Sequence, residues 1–236
     1  MLLEVCVEDA EGLAAAIAGG ADRIELCSAL AVGGLTPSAG LMARAGRYSV
    51  PTYAMIRPRA GSFRYTADEI EVMKADIDAA RHAGLAGVVL GASLQDGRLD
   101  ADTLNILIEH ADGLGRTLHR AFDLVPDMKQ AIELAISLDF ERILTSGRAG
   151  TAWEGVDDLE QAIDISASRI SIMPGAGVNV TTIDQLIPRL KISEIHASCS
   201  VATETADKRL LTLGFAAAGA RRTDAATVRA LKARLD

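Results

Sequence analysis

Two short segments near the start of the 236-residue chain, Leu3-Glu4-Val5-Cys6 and Ile24-Glu25-Leu26-Cys27, each hold a glutamate and a cysteine two residues apart. In an extended strand that spacing puts both polar groups on one face. The intervening Leu3, Val5, Ile24 and Leu26 suit packing beneath helices, so Glu4, Cys6, Glu25 and Cys27 face the other way, which in a closed barrel is the interior. A buried carboxylate is costly unless paired. As bare neighbours Glu4 and Glu25 repel, which pushes one of them toward the pKa of a working acid or base. Arg57, Arg59 and Arg120 are the cations expected to offset that charge, and an arginine fork suits a carboxylate or a ligand phosphate. The other reading of these charges is an ion-pair network that holds strands in register.

The thiols open a different chemistry. Cys6 and Cys27 on neighbouring strands could coordinate a soft ion such as Cu(I), although free cysteines are also ordinary core residues. Cys199 follows the last strand, which neighbours the first in a closed barrel, so all three thiols are expected to approach one another. His119, within Leu118-His119-Arg120-Ala121-Phe122-Asp123, is the leading candidate for proton transfer, and His196 the second. His82 and His110 close helices, where a cation meets the negative end of the dipole, and read as structural. Thr145-Ser146-Gly147 and Pro174-Gly175-Ala176-Gly177, the latter followed by a helix near Thr181, offer backbone amides for an anion of phosphate size, with Arg120 at hand. The residues therefore assign Glu4, Glu25, His119 and Arg57 as candidate catalytic groups, Ser146, Gly147, Gly175, Gly177 and Arg120 as candidate anion-binding groups, and Cys6 and Cys27 as candidate metal ligands. No lysine sits at a strand end, which disfavours a Schiff-base aldolase.

Positioning these groups takes a regular frame, and the sequence supplies one. Eight strand-like runs alternate with helix-like ones: Leu2 to Cys6, Arg23 to Cys27, Thr52 to Arg57, Gly87 to Leu90, Thr117 to Ala121, Arg142 to Thr145, Arg169 to Met173 and Glu194 to Ala197. Strand parity puts Glu4, Glu25, Arg57, Thr117, His119, Ser171, His196 and Ser198 on the inward face, where Val, Ile or Leu is the ordinary occupant. Between strands, Ala67 to His82 repeats Ile70, Met73, Ile77 and Ala80 at helical steps behind a Thr66/Glu69 capping pair, and Thr36-Pro37 opens the second helix. Gly84 and Gly113 are stop signals, and Asp96-Gly97 is a turn. Such alternation predicts an α/β fold with a parallel sheet, a single TIM (β/α)8 barrel over residues 1–236. A doubly wound sheet would show a glycine-rich turn after its first strand, where Val7-Glu8-Asp9 stands instead. Two connections are long, Thr145 to Gly155 and Cys199 to Thr223, the second with a helix of its own over Lys208 to Phe215. Loops of this length often serve as lids, binding segments or contacts in a homo-oligomer.

Composition narrows the partners. With 24 Lys and Arg against 32 Asp and Glu, the net charge of −8 argues against attraction to nucleic acid or an anionic membrane. The uncharged stretch from Leu26 to Met42 is broken by Gly33-Gly34 and Thr36-Pro37-Ser38, so it does not read as a membrane span. With no signal-peptide pattern at the start and only three cysteines, the expected location is the reducing cytoplasm.

These residues together resemble the CutC copper homeostasis family over essentially the whole chain. The matching segments are Leu3 to Cys6, Gly20-Ala21-Asp22-Arg23-Ile24-Glu25-Leu26-Cys27, Gly33-Gly34-Leu35-Thr36-Pro37-Ser38, Met55-Ile56-Arg57-Pro58-Arg59, His119-Arg120-Ala121-Phe122-Asp123, Thr145-Ser146-Gly147 and Met173-Pro174-Gly175-Ala176-Gly177. The resemblance implies a TIM barrel, a cytoplasmic location and a role in copper handling, with Cu(I) at the positions of Cys6 and Cys27. The chain departs from the family pattern at Ala60-Gly61-Ser62-Phe63, where the family often has Gly-Gly-Asp-Phe, so an acidic group at 62 is absent. Two function classes follow: a copper-binding homeostasis protein, or a barrel enzyme (isomerase, lyase or hydrolase) acting on a small phosphorylated or carboxylated substrate. The partner is accordingly a copper ion or a small anionic ligand.

Overall fold

The computed structural model describes residues 1–203 and 207–235. Eight parallel strands form one sheet: β1 (Leu2–Val7), β2 (Arg23–Leu26), β3 (Thr52–Met55), β4 (Gly87–Leu90), β5 (Gly115–Leu118), β6 (Arg142–Thr145), β7 (Ser171–Pro174) and β8 (Glu194–Ala197). The hydrogen-bonded order runs β7-β6-β5-β4-β3-β2-β1-β8, and β7 comes alongside β8, so the sheet curls into a nearly closed barrel. Helices α1 (Ala10–Gly19), α2 (Ala39–Ala45), α3 (Ala67–His82), α4 (Ala101–His110), α5 (Met128–Ser137), α6 (Val156–Ser166) and α7 (Val180–Leu186) connect successive strands. This is the TIM barrel that the alternation predicts. Among the described residues no helix is long and apolar enough to cross a membrane.

Local chemistry explains most element boundaries. Thr66 accepts from the Glu69 amide while the Glu69 carboxylate accepts from the Thr66 amide, so α3 starts on the expected reciprocal cap. The second helix starts later than predicted, because Ser38 rather than Thr36 caps it by accepting from the Leu41 amide. The fifth strand is also displaced. It spans Gly115–Leu118, and Ala121 belongs to a 3-10 helix (Arg120–Leu124) where the His119 side chain caps the Ala121 amide. The seventh begins at Ser171, not Arg169, and the third stops at Met55, before Arg57.

The long connection after Cys199 holds more order than one helix. Its ends pair as an antiparallel hairpin of β9 (Ser200–Ala202) and β10 (Arg221–Thr223), with α8 (Lys208–Thr212) between them and α9 (Ala225–Lys232) following. Residues 204–206 of the predicted loop lie outside the described residues. Hairpin pairing escaped the sequence reading because a three-residue strand has too few side chains to show alternation.

Between strands and helices lies the apolar core, where Leu3, Val5, Ile24 and Leu26 pack with Leu13, Ile77, Leu104 and Ile132. Each such side chain contributes about 1.5–3 kcal/mol through burial. With that shell apolar, the opposite faces of β1 and β2 turn into the barrel and carry their charges with them.

Candidate functional site

The barrel interior is polar in two storeys. In the lower one, register places Arg23 of β2 beside Glu4 of β1 on one side and His196 of β8 on the other. Arg23 donates through Nε to Glu4 Oε2 and through Nη2 to Glu194 Oε2 at 2.5 Å. Arg142 of β6 ion-pairs with Glu194 at 3.2 Å and donates to the Thr117 hydroxyl at 2.9 Å. Tyr53 lies between the two guanidinium groups, with its ring centroid 5.6 Å from Arg23 Cζ and 4.9 Å from Arg142 Cζ.

This girdle corrects the expected pairing. Arg23, not Arg57, Arg59 or Arg120, neutralises Glu4, because the guanidinium two residues before Glu25 shares its inward face. Arg59 is held at the surface by Glu69, and Arg120 by Asp123. The period-of-two rule that marked Glu25 also marks Arg23, Arg142 and Glu194, and it could have found all three. Burial would raise the Glu4 carboxyl, but the hydrogen bond from His196 and the charge of Arg23 outweigh it and hold the pKa at about 2. Glu4 is therefore a fixed anion below the mouth, and it does not line the cavity there.

The upper storey opens into a cavity of about 670 Å³ at the C-terminal ends of the strands, lined by Cys6, Glu25, Met55, Arg57, His119 and His196 among others. A sulfur of Cys6, a carboxylate oxygen of Glu25 and a ring nitrogen of His196 all lie within 4.8 Å of one another, the three residues buried. His196 Nδ1 donates to Glu4 Oε1 at 2.8 Å, and its Nε2 lies 3.8 Å from Glu25 Oε2. Burial opposes a charged His196, but the charges of Cys6 and Glu25 and hydrogen bonds with Cys6 and Glu4 raise its pKa well above the ordinary value. Burial raises the Glu25 carboxyl, with Glu4 adding to the shift and His196 opposing it.

Cys27 stands apart from that trio. Its Sγ donates to Glu25 Oε2 at 3.5 Å, and its surroundings are Tyr53, Met55 and Val89 rather than the open cavity. Burial first, then the neighbouring Glu25 charge, pushes the thiol pKa well up. Cys199 is buried, and burial with the proximity of Cys6 raises its thiol to about 12.

His119 lies 3% exposed on the cavity wall. Its Nδ1 accepts from the Ala121 amide at 3.1 Å, so the ring proton sits on Nε2, which has no partner. Burial, then the charge of Arg57, lowers its pKa to about 3 and keeps the ring neutral. His119 is thus a fixed N–H donor. Glu25 Oε1 and Arg57 Nε are likewise buried without partners.

The remaining predicted groups fall elsewhere. Thr117 is spent on Arg142, Ser171 is half-buried at the start of β7, and the exposed Ser198 hydroxyl bonds Ser200 at the cavity rim. Of the two predicted anion loops, the one after β6 is filled by the protein itself. Asp123 Oδ1 accepts from the Thr145 hydroxyl and from the amides of Ser146 and Arg148, while Oδ2 accepts from the Ser146 hydroxyl and Arg120 Nε. Gly147 donates its amide to Thr145 Oγ1, and Gly175 its amide to the Thr145 carbonyl. A Cβ at Gly175 would lie 2.5 Å from Leu144 Cδ1, so the leucine side chain would have to shift. Gly177 has φ +72° beside Thr151. Asp123 was legible only as part of the His119 motif; its reach to β6 is a tertiary fact.

Comparison with known proteins gives a consistent picture. A family model described as the CutC family matches residues 1–201. The chain is 66% identical over 234 residues to a CutC family protein of Rhizobium meliloti, covering 99% of this chain and 96% of that one. With a CutC family protein of Caulobacter vibrioides it shares 52% identity over 230 residues, or 97% and 94% of the two chains. Among solved structures it is similar to a candidate copper homeostasis protein, CutC of Streptococcus agalactiae, with a TM-score of 0.80 and 30% identity, covering 84% of this chain and 98% of that chain. A phosphoribosyl anthranilate isomerase from Thermotoga maritima, at a TM-score of 0.60 and 12% identity over 100% of this chain and 98% of that one, shares the fold alone.

Proposed function

Because the chain belongs to the CutC family, we propose that it is a cytoplasmic copper homeostasis protein that receives Cu(I) as cargo at the base of its barrel mouth. The observation that carries this reading is the clustering of a Cys6 sulfur, a His196 nitrogen and a Glu25 oxygen within 4.8 Å. Thiolate and imidazole suit Cu(I), and one thiolate already balances its single charge. Cys27, whose Sγ donates to Glu25, is the candidate for a second sulfur. Loading requires both thiols and the His196 Nε2 to lose protons; Glu25 stands next to Cys27 to receive one, and the others leave to water through the open cavity. Three free buried cysteines and no disulfide suit a reducing compartment.

Anaerobic Cu(I) titration against a competing chelator tests the site. Cys6→Ser and His196→Ala should each weaken retention by at least about tenfold, since loss of a ligand costs no less than loss of an outer-sphere partner. Cys27→Ser should weaken it as well. Unchanged retention in a folded Cys6→Ser, Cys27→Ser double variant would refute the copper site.

A further inference from the structure

The guanidinium of Arg57 leaves the cavity wall electrically incomplete. Nη1 donates to the carbonyls of Val32 at 2.8 Å and Gly34 at 3.0 Å, and Nη2 donates to that of Gly61 at 3.1 Å. All three acceptors are neutral, and among the described residues no carboxylate pairs with Arg57, which is only 5% exposed. Its Nε–H has no partner, and neither has the Nε2–H of His119. The two groups are neighbours under one ring: Phe63 lies 4.8 Å from Arg57 Cζ and 4.7 Å from the His119 ring.

A buried cation without a counter-charge is costly, and so is a buried donor without an acceptor. Both occur here on the wall of one cavity. What satisfies both at once is a negatively charged group with acceptor oxygens only. We propose that the barrel mouth binds a small organic carboxylate, its oxygens accepting from Arg57 Nε and His119 Nε2 and its apolar body packing against Phe63, Leu30, Val32 and Leu124, which line the cavity. The half-buried Phe63 ring lies against both groups, and the carboxylate reaches the two donors as that ring turns aside. Phosphate fits less well. Of the backbone amides that would serve a phosphate, those of Ser146, Gly147 and Arg148 after β6 already donate to Asp123 and Thr145. A neutral imidazole fixed as a single donor matches one oxygen of a planar carboxylate, and the guanidinium Nε–H matches the other.

Calorimetric titration of the copper-free full chain with benzoate, benzamide and inorganic phosphate tests this. Benzoate should bind, with benzamide, which keeps the ring but loses the charge, at least about tenfold weaker and phosphate weaker still. His119→Asn should also weaken benzoate by about tenfold, because the asparagine oxygen can keep accepting from the Ala121 amide while its side chain stops short of the Nε2 position. Absence of benzoate binding, equal binding of benzoate and benzamide, tighter binding of phosphate, or full benzoate affinity in folded His119→Asn would each overturn the proposal. Should that variant fail to fold, the comparison of benzoate with benzamide in the unaltered chain still decides. Failure here leaves the copper reading standing, since none of its ligands takes part.

Discussion

Replacing Arg23 by methionine is expected to destabilise the fold by about 3–5 kcal/mol, the largest effect of any single substitution in the barrel interior. The guanidinium joins Glu4 and Glu194 where both carboxylates are buried, and its removal strands two anions with only His196 and Arg142 to share between them. The Tyr53 ring loses one of its two cationic neighbours at the same time. Denaturant unfolding of the variant against the parent measures the loss. A cost below about 1 kcal/mol would show that the girdle is not a stabilising pair network. Arg23→Met combined with Glu4→Gln should recover part of the loss, because a buried pair removed whole costs less than a buried pair broken.

The same girdle sets the acid limb of stability. Glu4 titrates at about 2 in the fold against an ordinary 4.5, so its contribution is complete above the unfolded value and is lost as pH falls from 4.5 through 2. Glu25 works in the opposite sense, since its raised pKa favours the fold while the carboxyl is protonated and loses that contribution as pH rises. Unfolding measured from pH 6 to pH 2, a window of roughly the carboxylate range, should therefore show a limb that Glu4→Gln flattens. An identical limb in that variant would remove Glu4 as its source.

Asp123→Ala is the second substitution with a large expected effect, about 2–4 kcal/mol, from hydrogen bonds to a charged acceptor and the donors left behind. One carboxylate gathers the Thr145 hydroxyl at 2.5 Å, the Ser146 amide at 3.2 Å, the Arg148 amide at 3.1 Å and Arg120 Nε at 2.7 Å. The side chain thus occupies the loop after β6 as a ligand anion would. Removing it frees those amides, so the alanine variant should gain binding of inorganic phosphate that the parent lacks at this loop. Calorimetry on both proteins, with melting temperatures alongside, checks both halves. Phosphate binding by the parent at residues 146–148, or an alanine variant as stable as the parent, would contradict this account.

By itself the sequence determined the frame. Eight alternating units, apolar residues at Leu3, Val5, Ile24 and Leu26, and polar ones between them gave the barrel and the inward faces of β1 and β2, because a strand's side-chain period of two is a local property. The α3 boundaries were equally legible, since a capping box is written in neighbouring residues. Only the tertiary structure decided which inward groups meet. Arg23 reaches Glu194, 171 residues away in sequence, and His196 reaches Glu4 across 192, through a stagger between strands that no local pattern encodes. Depth was hidden for the same reason: Glu4 and Cys6 share one face of one strand, yet a step of two residues separates an ion-pair layer from an open cavity. The amides after β6 read as open to a ligand because the carboxylate that fills them comes from the preceding β5 connection. Whether a glycine-rich turn binds an anion from outside or from within depends on what the rest of the fold brings to it.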